Sequence, residues 1–262
     1  MKICVVQQSH NPGRVGENLS KALAFAKQAL DGGSEIVLFH EELLVGYVED
    51  PHALAQSVNG EATQAFERLL RDYEGERKII YGLTERCGQR YYISAPVVSR
   101  EGVVANYRKC HLWKQGTPLR DETRLYTPGE GLVTFRHRGF QAGVMICYDG
   151  DFPEMARAYA RMGCQMLFWM NNRESRGHDD FAQLHSRCNS LIVATSCCCG
   201  KDETGAWCSG KSNIVDYDAT VLGELADREG ILVAEVHPEL VRAHREGNPL
   251  FGGLREDLFY HA

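Results

Sequence analysis

The sequence predicts an α/β fold built in layers. Three observations carry that reading: apolar β-branched runs too short to be helices, amphipathic helical segments that alternate with them, and a few hairpin-like joins. The first strand is "ICVVQ". In "VGENLSKALAFAKQALDGG", Val15, Leu19, Ala22, Leu23, Ala26, Ala29 and Leu30 fall on one face at helical spacing, and Gly32 and Gly33 supply the stop. "EIVLF" follows as a strand covered on both faces. A helix at "EATQAFERLLRDY" then precedes a strand "KIIYGL", and the strands "YYISAPVV" and "VVANY" flank the hairpin "SREGV". The second half repeats the alternation: strands "LVTF" and "AGVMIC", helix "PEMARAYARMG", strand "CQMLFWM", loop "NNRESRGHDD", helix "FAQLHSRC" and strand "LIVATS". Strands "SNIVDY", "TVLGEL" and "ILVAEV" and the helix "HPELVRAHR" close the pattern. The strands read as packed against another sheet on one face and against helices on the other.

The 262 residues show no compositional seam, no internal repeat and no low-complexity tract, so one domain spanning 1–262 is expected. With 44% hydrophobic and 24% charged residues the chain is ordinary for a soluble globular protein, and a net charge of -6 gives no electrostatic footprint for nucleic acid. Glutamines interrupt the apolar N-terminal stretch too early for a signal-peptide core, and no run reaches membrane-spanning length. A cytoplasmic protein without membrane or nucleic-acid partners is the expectation, its ten cysteines largely reduced.

Three stretches invite chemistry. In "VMICYDGDFPE", Cys147 ends an apolar strand, a position where cysteine is usually inert packing. Here it precedes a sharp turn and a helix start with Pro153 at the first position, which favours a thiolate. Ten histidines form no motif that marks a base, so a carboxylate is the alternative. Glu41 stands at the carboxyl end of the strand "IVLF", the edge where α/β sheets collect ligands, although beside Glu42 it also reads as a solvated loop acid. Lys109, in "NYRKCHLW", follows another strand; a basic pair there is normally surface, but the neighbouring Tyr107 and Trp113 point to partial burial, where an ammonium acts strongly on a developing oxyanion.

The stretches "FHEELLVGY", "YRKCHLW" and "CYDGDFPE" occur in an order and at separations that resemble the nitrilase superfamily of carbon-nitrogen hydrolases. "GENL", "LYTPGEG", "SGKSNIVDYDATVLGEL" and "LREDLF" extend the likeness along nearly the whole chain. The resemblance implies a four-layer α-β-β-α sandwich and a Glu-Lys-Cys triad at Glu41, Lys109 and Cys147. It implies a supporting glutamate at Glu122, which otherwise reads as a surface helix acid, and an oxyanion contact from a backbone N–H near Tyr148. The chemistry it implies is amide hydrolysis through a cysteine thioester, releasing ammonia or an amine and requiring no metal or organic cofactor. Homodimers or larger assemblies are usual for such relatives; "MARAYARMG" and the tail "NPLFGGLREDLFYHA" are candidate contacts.

The chain departs from the family pattern around the triad, with His40 where proline is common, Ile93 where a polar residue is common, Cys188 in place of a glutamate, and Cys197, Cys198 and Cys199 in place of a more polar stretch. A metal site in "SCCCG" is disfavoured, because Cys197 and Cys199 would share one strand face with Cys198 opposite and no C-x-x-C pair accompanies them. Cys-Tyr-Asp is similar to the amidase and carbamoylase branches, whereas nitrile-cleaving members more often carry Cys-Trp-Glu. A small linear amide or carbamoyl substrate is therefore expected, with a nitrile hydrolase, an acyltransferase and an idle binding relative as rivals. Tyr47, Trp113, Asn171, Asn172 and Arg173 are candidate substrate contacts. Arg173 would suit a substrate carboxylate, and otherwise reads as a solvated loop residue.

Overall fold

The computed structural model describes residues 1–9, 11–114, 121–174, 178–201 and 207–255. In chain order the first half holds β1 (Lys2–Gln7), α1 (Val15–Asp31), β2 (Ile36–Leu38), α2 (Glu61–Arg71), β3 (Lys78–Ile80), β4 (Leu83–Cys87), β5 (Arg90–Ser99), β6 (Gly102–Arg108) and the short α3 (Glu122–Leu125). The second half holds β7 (Thr134–His137), β8 (Phe140–Ile146), a 3-10 turn over Cys147–Asp151, α4 (Pro153–Arg161), β9 (Met166–Asn171), α5 (His178–Asn189), β10 (Ile192–Cys197), β11 (Cys199–Lys201) and β12 (Trp207–Ser209). It ends with β13 (Asn213–Val215), β14 (Val221–Glu224), β15 (Gly230–Glu235), α6 (Pro238–Glu246) and α7 (Pro249–Gly252).

One sheet runs β15-β1-β2-β3-β5, with β4 continuing the β3 edge of β5 and β6 on the other side; the second runs β14-β13-β10-β9-β8-β7, and β11 and β12 form a separate ribbon. Pairing is parallel through β1-β2-β3 and β8-β9-β10, and antiparallel at the flanks. Alternation along β1 sorts the layers: Ile3 and Val5 face the core between the sheets, whereas Cys4 and Val6 face α1 and α2. Ile36 and Leu38 of β2 go inward and Val37 outward in the same way. On the far side of the second sheet, Met155, Ala156 and Tyr159 of α4 and Ala182 of α5 join that core. The architecture is the four-layer α-β-β-α sandwich.

Helix α1 buries Leu19, Ala22, Ala26, Ala29 and Leu30 as its spacing requires, but also Asn18, whose amide donates to the carbonyls of Asn11 and Leu44 at 2.8 Å each and so ties the helix to the turn after β2. The run "KIIYGL" is not one strand. It breaks at Tyr81 and Gly82 between β3 and β4, because a side chain at Gly82 would meet the backbone of residues 40–42 at 2.4–2.7 Å. "SCCCG" is likewise divided: Cys197 ends β10 and Cys199 opens β11 in the separate ribbon, so the three cysteines do not alternate along one strand as expected. Of the tail offered as a subunit contact, residues 256–262 lie outside the described residues. Among the described residues no helix is long and apolar enough to cross a membrane, and no group of three or more His, Cys, Asp or Glu is placed to hold a metal ion.

Candidate active site

The carboxyl ends of β2, β6, β8 and β9 converge, which brings Glu41, Lys109, Cys147 and Arg173 into one electrostatic neighbourhood. The turn after β2 carries Glu41 and Glu42. Both carboxylates are buried, at 0% and 1% exposure, so neither is a solvated loop acid. Glu42 adopts a left-handed backbone (φ 52°), and the close passage of Gly82 holds the turn from behind.

Lys109 is fully buried. Its Nζ donates to Glu41 Oε1 and to Glu122 Oε1 at 2.7 Å each, and its backbone N–H donates to the Ile93 carbonyl at 2.9 Å. Burial works against the ammonium, but the carboxylates of Glu122 and Glu41 outweigh it and hold the lysine well above its ordinary range. Glu122 opens α3 and is 2% exposed rather than a surface acid; its second oxygen accepts from the Trp113 backbone N–H at 2.7 Å. Burial lifts Glu122 to about 7 against the pull of Lys109. Glu41 Oε2 is buried without a hydrogen-bond partner among the described residues, which leaves a lone pair open on the oxygen turned away from Lys109.

Cys147 sits where β8 gives way to the 3-10 turn, in a left-handed conformation (φ 45°) that costs a non-glycine residue energy. Pro153 does occupy the first position of α4, and the sharp turn expected before it is a 3-10 turn that starts at Cys147 itself, so residues 148–152 separate the thiol from the helix. Burial and the Glu41 carboxylate push Cys147 up to about 12, with Arg173 and Lys109 pulling the other way. The Cys147 proton is therefore held more firmly than that of an ordinary thiol.

Tyr47 lies in the field of Glu41, Glu122 and Cys147, and burial of its hydroxyl holds it well above the usual phenol range. Trp113 is 40% exposed and meets Tyr148 edge to face at 4.9 Å. Arg173 is not solvated: Nη2 donates to the Cys147 carbonyl and to Asp151 Oδ1 at 2.6 Å each, and Nε donates to Asn171 Oδ1 at 2.9 Å. Asn172 faces elsewhere, its amide oxygen accepting from the thiols of Cys198 (2.6 Å) and Cys208 (3.1 Å). Of the unusual residues around the triad, His40 donates from Nδ1 to the Glu41 carbonyl at 2.8 Å, Ile93 packs between the sheets, and Cys188 is half-buried on α5.

Sequence reasoning passed over Glu42 and Asp149. Glu42 accepts from Thr84 Oγ1 at 2.6 Å, and burial lifts it to about 8. Asp149 accepts from the Tyr107 hydroxyl (2.7 Å), the His111 backbone (2.8 Å) and ring (2.9 Å), and the Ile146 N–H (3.1 Å), pinning the turn that carries Cys147 to the β6 side. The only sequence signal for either was an acid inside a motif already singled out.

The sandwich thus buries carboxylates, an ammonium and a thiol together at converging strand ends. The carbon-nitrogen hydrolase family model matches residues 2–246, and the chain belongs to that family, within the nitrilase superfamily. It is 30% identical over 251 residues to an (R)-stereoselective amidase of Pseudomonas sp (94% of this chain, 88% of the relative). It is 30% identical over 269 residues to a nitrilase of Pyrococcus abyssi (99% of each) and 27% identical over 257 residues to the omega-amidase NIT2 of Homo sapiens (93% and 91%). Among solved structures, a variant of the amidase from Nesterenkonia sp. AN1 with the acetamide moiety of fluoroacetamide covalently added at its active-site cysteine superposes with a TM-score of 0.83 at 22% identity, over 98% of this chain and 95% of that one. A carbon-nitrogen hydrolase superfamily protein from Xanthomonas campestris superposes with a TM-score of 0.86 at 18% identity, over 96% of each. The chain is therefore a carbon-nitrogen hydrolase.

Proposed function

We propose that the enzyme hydrolyses a small linear amide or carbamoyl compound, with Cys147 as nucleophile, Glu41 as general base and acid, and Lys109 as oxyanion donor. The observation that carries this is the fully buried Lys109 ammonium, 2.7 Å from both Glu41 and Glu122, beside a thiol whose proton only a neighbouring base can take. Glu41 Oε2 removes that proton as sulfur attacks the amide carbonyl. Lys109, with a backbone N–H near Tyr148, stabilises the tetrahedral oxygen. Protonated Glu41 then delivers its proton to the departing nitrogen, ammonia or an amine leaves, and the same carboxylate activates water against the thioester. Glu122 anchors Lys109, and Tyr47 and Trp113 border the substrate. The (R)-stereoselective amidase and the omega-amidase among the relatives support the amide reading, and the nitrilase of Pyrococcus abyssi at the same 30% identity is the reason nitriles belong in the test.

Ammonia release from a panel of simple amides, carbamoyl compounds and nitriles tests the substrate class. Intact-protein mass after rapid mixing tests the thioester: an acyl adduct present in the native chain and missing in Cys147→Ser is the expected result. Amide turnover retained in Cys147→Ser would overturn the assignment. Cytoplasmic residence, which the ten free thiols support, and pairing of two copies across the outer face of α4 and α5, where Met162 and Leu184 are each 44% exposed, complete the proposal. Light scattering on the purified chain decides the latter.

A further inference from the structure

The carbonyl of Cys147 accepts two side-chain hydrogen bonds, one from Arg173 Nη2 at 2.6 Å and one from the Trp169 indole at 3.0 Å. Both donors belong to β9 and its exit, beside β8, the strand that leads into Cys147. Trp169 lies beneath the 3-10 turn so closely that a side chain at Gly150 would fall 2.2 Å from its ring, and the Arg173 guanidinium is stationed 5.3 Å from that ring's centroid. Asp151 closes the far end of the same turn with a 2.6 Å ion pair to Arg173, and Asn171 takes the Nε proton at 2.9 Å. One guanidinium therefore bridges the first and last residues of the turn that presents the thiol.

We propose that Arg173 is a positioning residue for the nucleophile: it fastens both ends of the Cys147–Asp151 turn, holds Cys147 in its left-handed conformation, and sets a fixed positive charge beside the sulfur. This rests on the reading of Cys147 as nucleophile. The residue is predominantly buried, with 15% of its side chain exposed, and Asp151 already pairs with its charge, so it is poorly disposed to receive a substrate carboxylate. A left-handed non-glycine residue persists only where its surroundings over-determine it, and a forked donor that also pairs with the far end of the turn supplies that constraint. Of the cations that favour the thiolate, Arg173 acts more strongly than Lys109. Lys109 is engaged by two carboxylates and Arg173 by one, and it is Arg173 that also holds the main chain of the cysteine itself.

The test compares Arg173→Met and Arg173→Lys with the native chain by two readouts. One is the pH profile of iodoacetamide alkylation at Cys147, followed on its peptide by mass; the other is kcat and KM for a neutral amide and for an amide bearing a carboxylate. Arg173→Met should move the alkylation profile up by about one pH unit or more and lower kcat about 10²-fold, with KM for the neutral amide within about threefold. Arg173→Lys restores the charge but not the fork, so it should return the profile towards native while kcat stays at least about tenfold low. Unchanged alkylation and kcat in Arg173→Met would overturn the proposal, and so would retained kcat with a KM rise confined to the acidic amide, which would make Arg173 a substrate receptor. If Arg173→Met does not fold, native alkylation and kcat in Arg173→Lys serve as the contrary result. Cys147→Ser separates this from failure of the underlying reading: turnover in that variant removes the nucleophile itself, whereas a dead Cys147→Ser beside a native-like Arg173→Met removes only the role of the arginine.

Discussion

The Cβ that Gly82 lacks would stand 2.4 Å from the backbone nitrogen of Glu42. The three nearest atoms at that point are all main chain of residues 40–42, so no rotamer change makes room. The break between β3 and β4 thus sets the height of the turn that carries Glu41. Gly82→Ala should lower stability by about 1–3 kcal/mol and displace Glu41 enough to cost more than the loss of stability alone explains. Urea melts and kcat on the folded variant check this; native kcat would show that the turn is set elsewhere.

Lys109→Ala removes an oxyanion donor and leaves the Glu41 and Glu122 carboxylates facing each other in a buried space. Turnover should fall about 10²- to 10³-fold, and the variant should also be destabilised by about 3–5 kcal/mol. Retained turnover in a folded Lys109→Ala would count against the role given to the ammonium.

Glu42 makes stability depend on pH. Burial raises it from 4.5 to about 8, so between those values the folded chain keeps a proton that the unfolded chain has released. Its contribution to stability is full below pH 4.5 and is lost as pH rises through about 8, at a slope of up to about 1.4 kcal/mol per pH unit. Glu42→Gln keeps an acceptor for Thr84 Oγ1 without the titration. Its stability, measured by urea at several pH values, should decline less than native across that window, and parallel curves would place the proton elsewhere.

Tyr107→Phe deletes one of four donors to Asp149 and leaves a buried carboxylate oxygen with only the Ile146 N–H. The expected loss is about 1–3 kcal/mol by denaturant. Because Asp149 pins the residue before Cys147, kcat should fall while KM holds. A variant as stable as native would mean that another donor replaces the phenol.

Much of the fold was legible in the sequence because a strand between a sheet and a helix layer must be apolar on both faces, and because α1 and α2 carry their buried residues at helical spacing. The order and spacing of the motifs around Glu41, Lys109 and Cys147 likewise pointed to one family. What sequence could not supply was partnership. A carboxylate beside a strand end reads the same whether it is solvated, as expected for a loop, or sealed like Glu42; an arginine in a polar loop reads as surface until Asp151 and the Cys147 carbonyl are found against it. The division of "KIIYGL" and "SCCCG" was hidden for the same reason, since main chain brought close from a distant segment decides it. Periodicity and motif order are written along the chain and fixed the layers and the chemistry on offer. Burial, proton affinity and the left-handed turn at Cys147 arise from atoms that only folding brings within a few ångströms, so tertiary structure alone decided them.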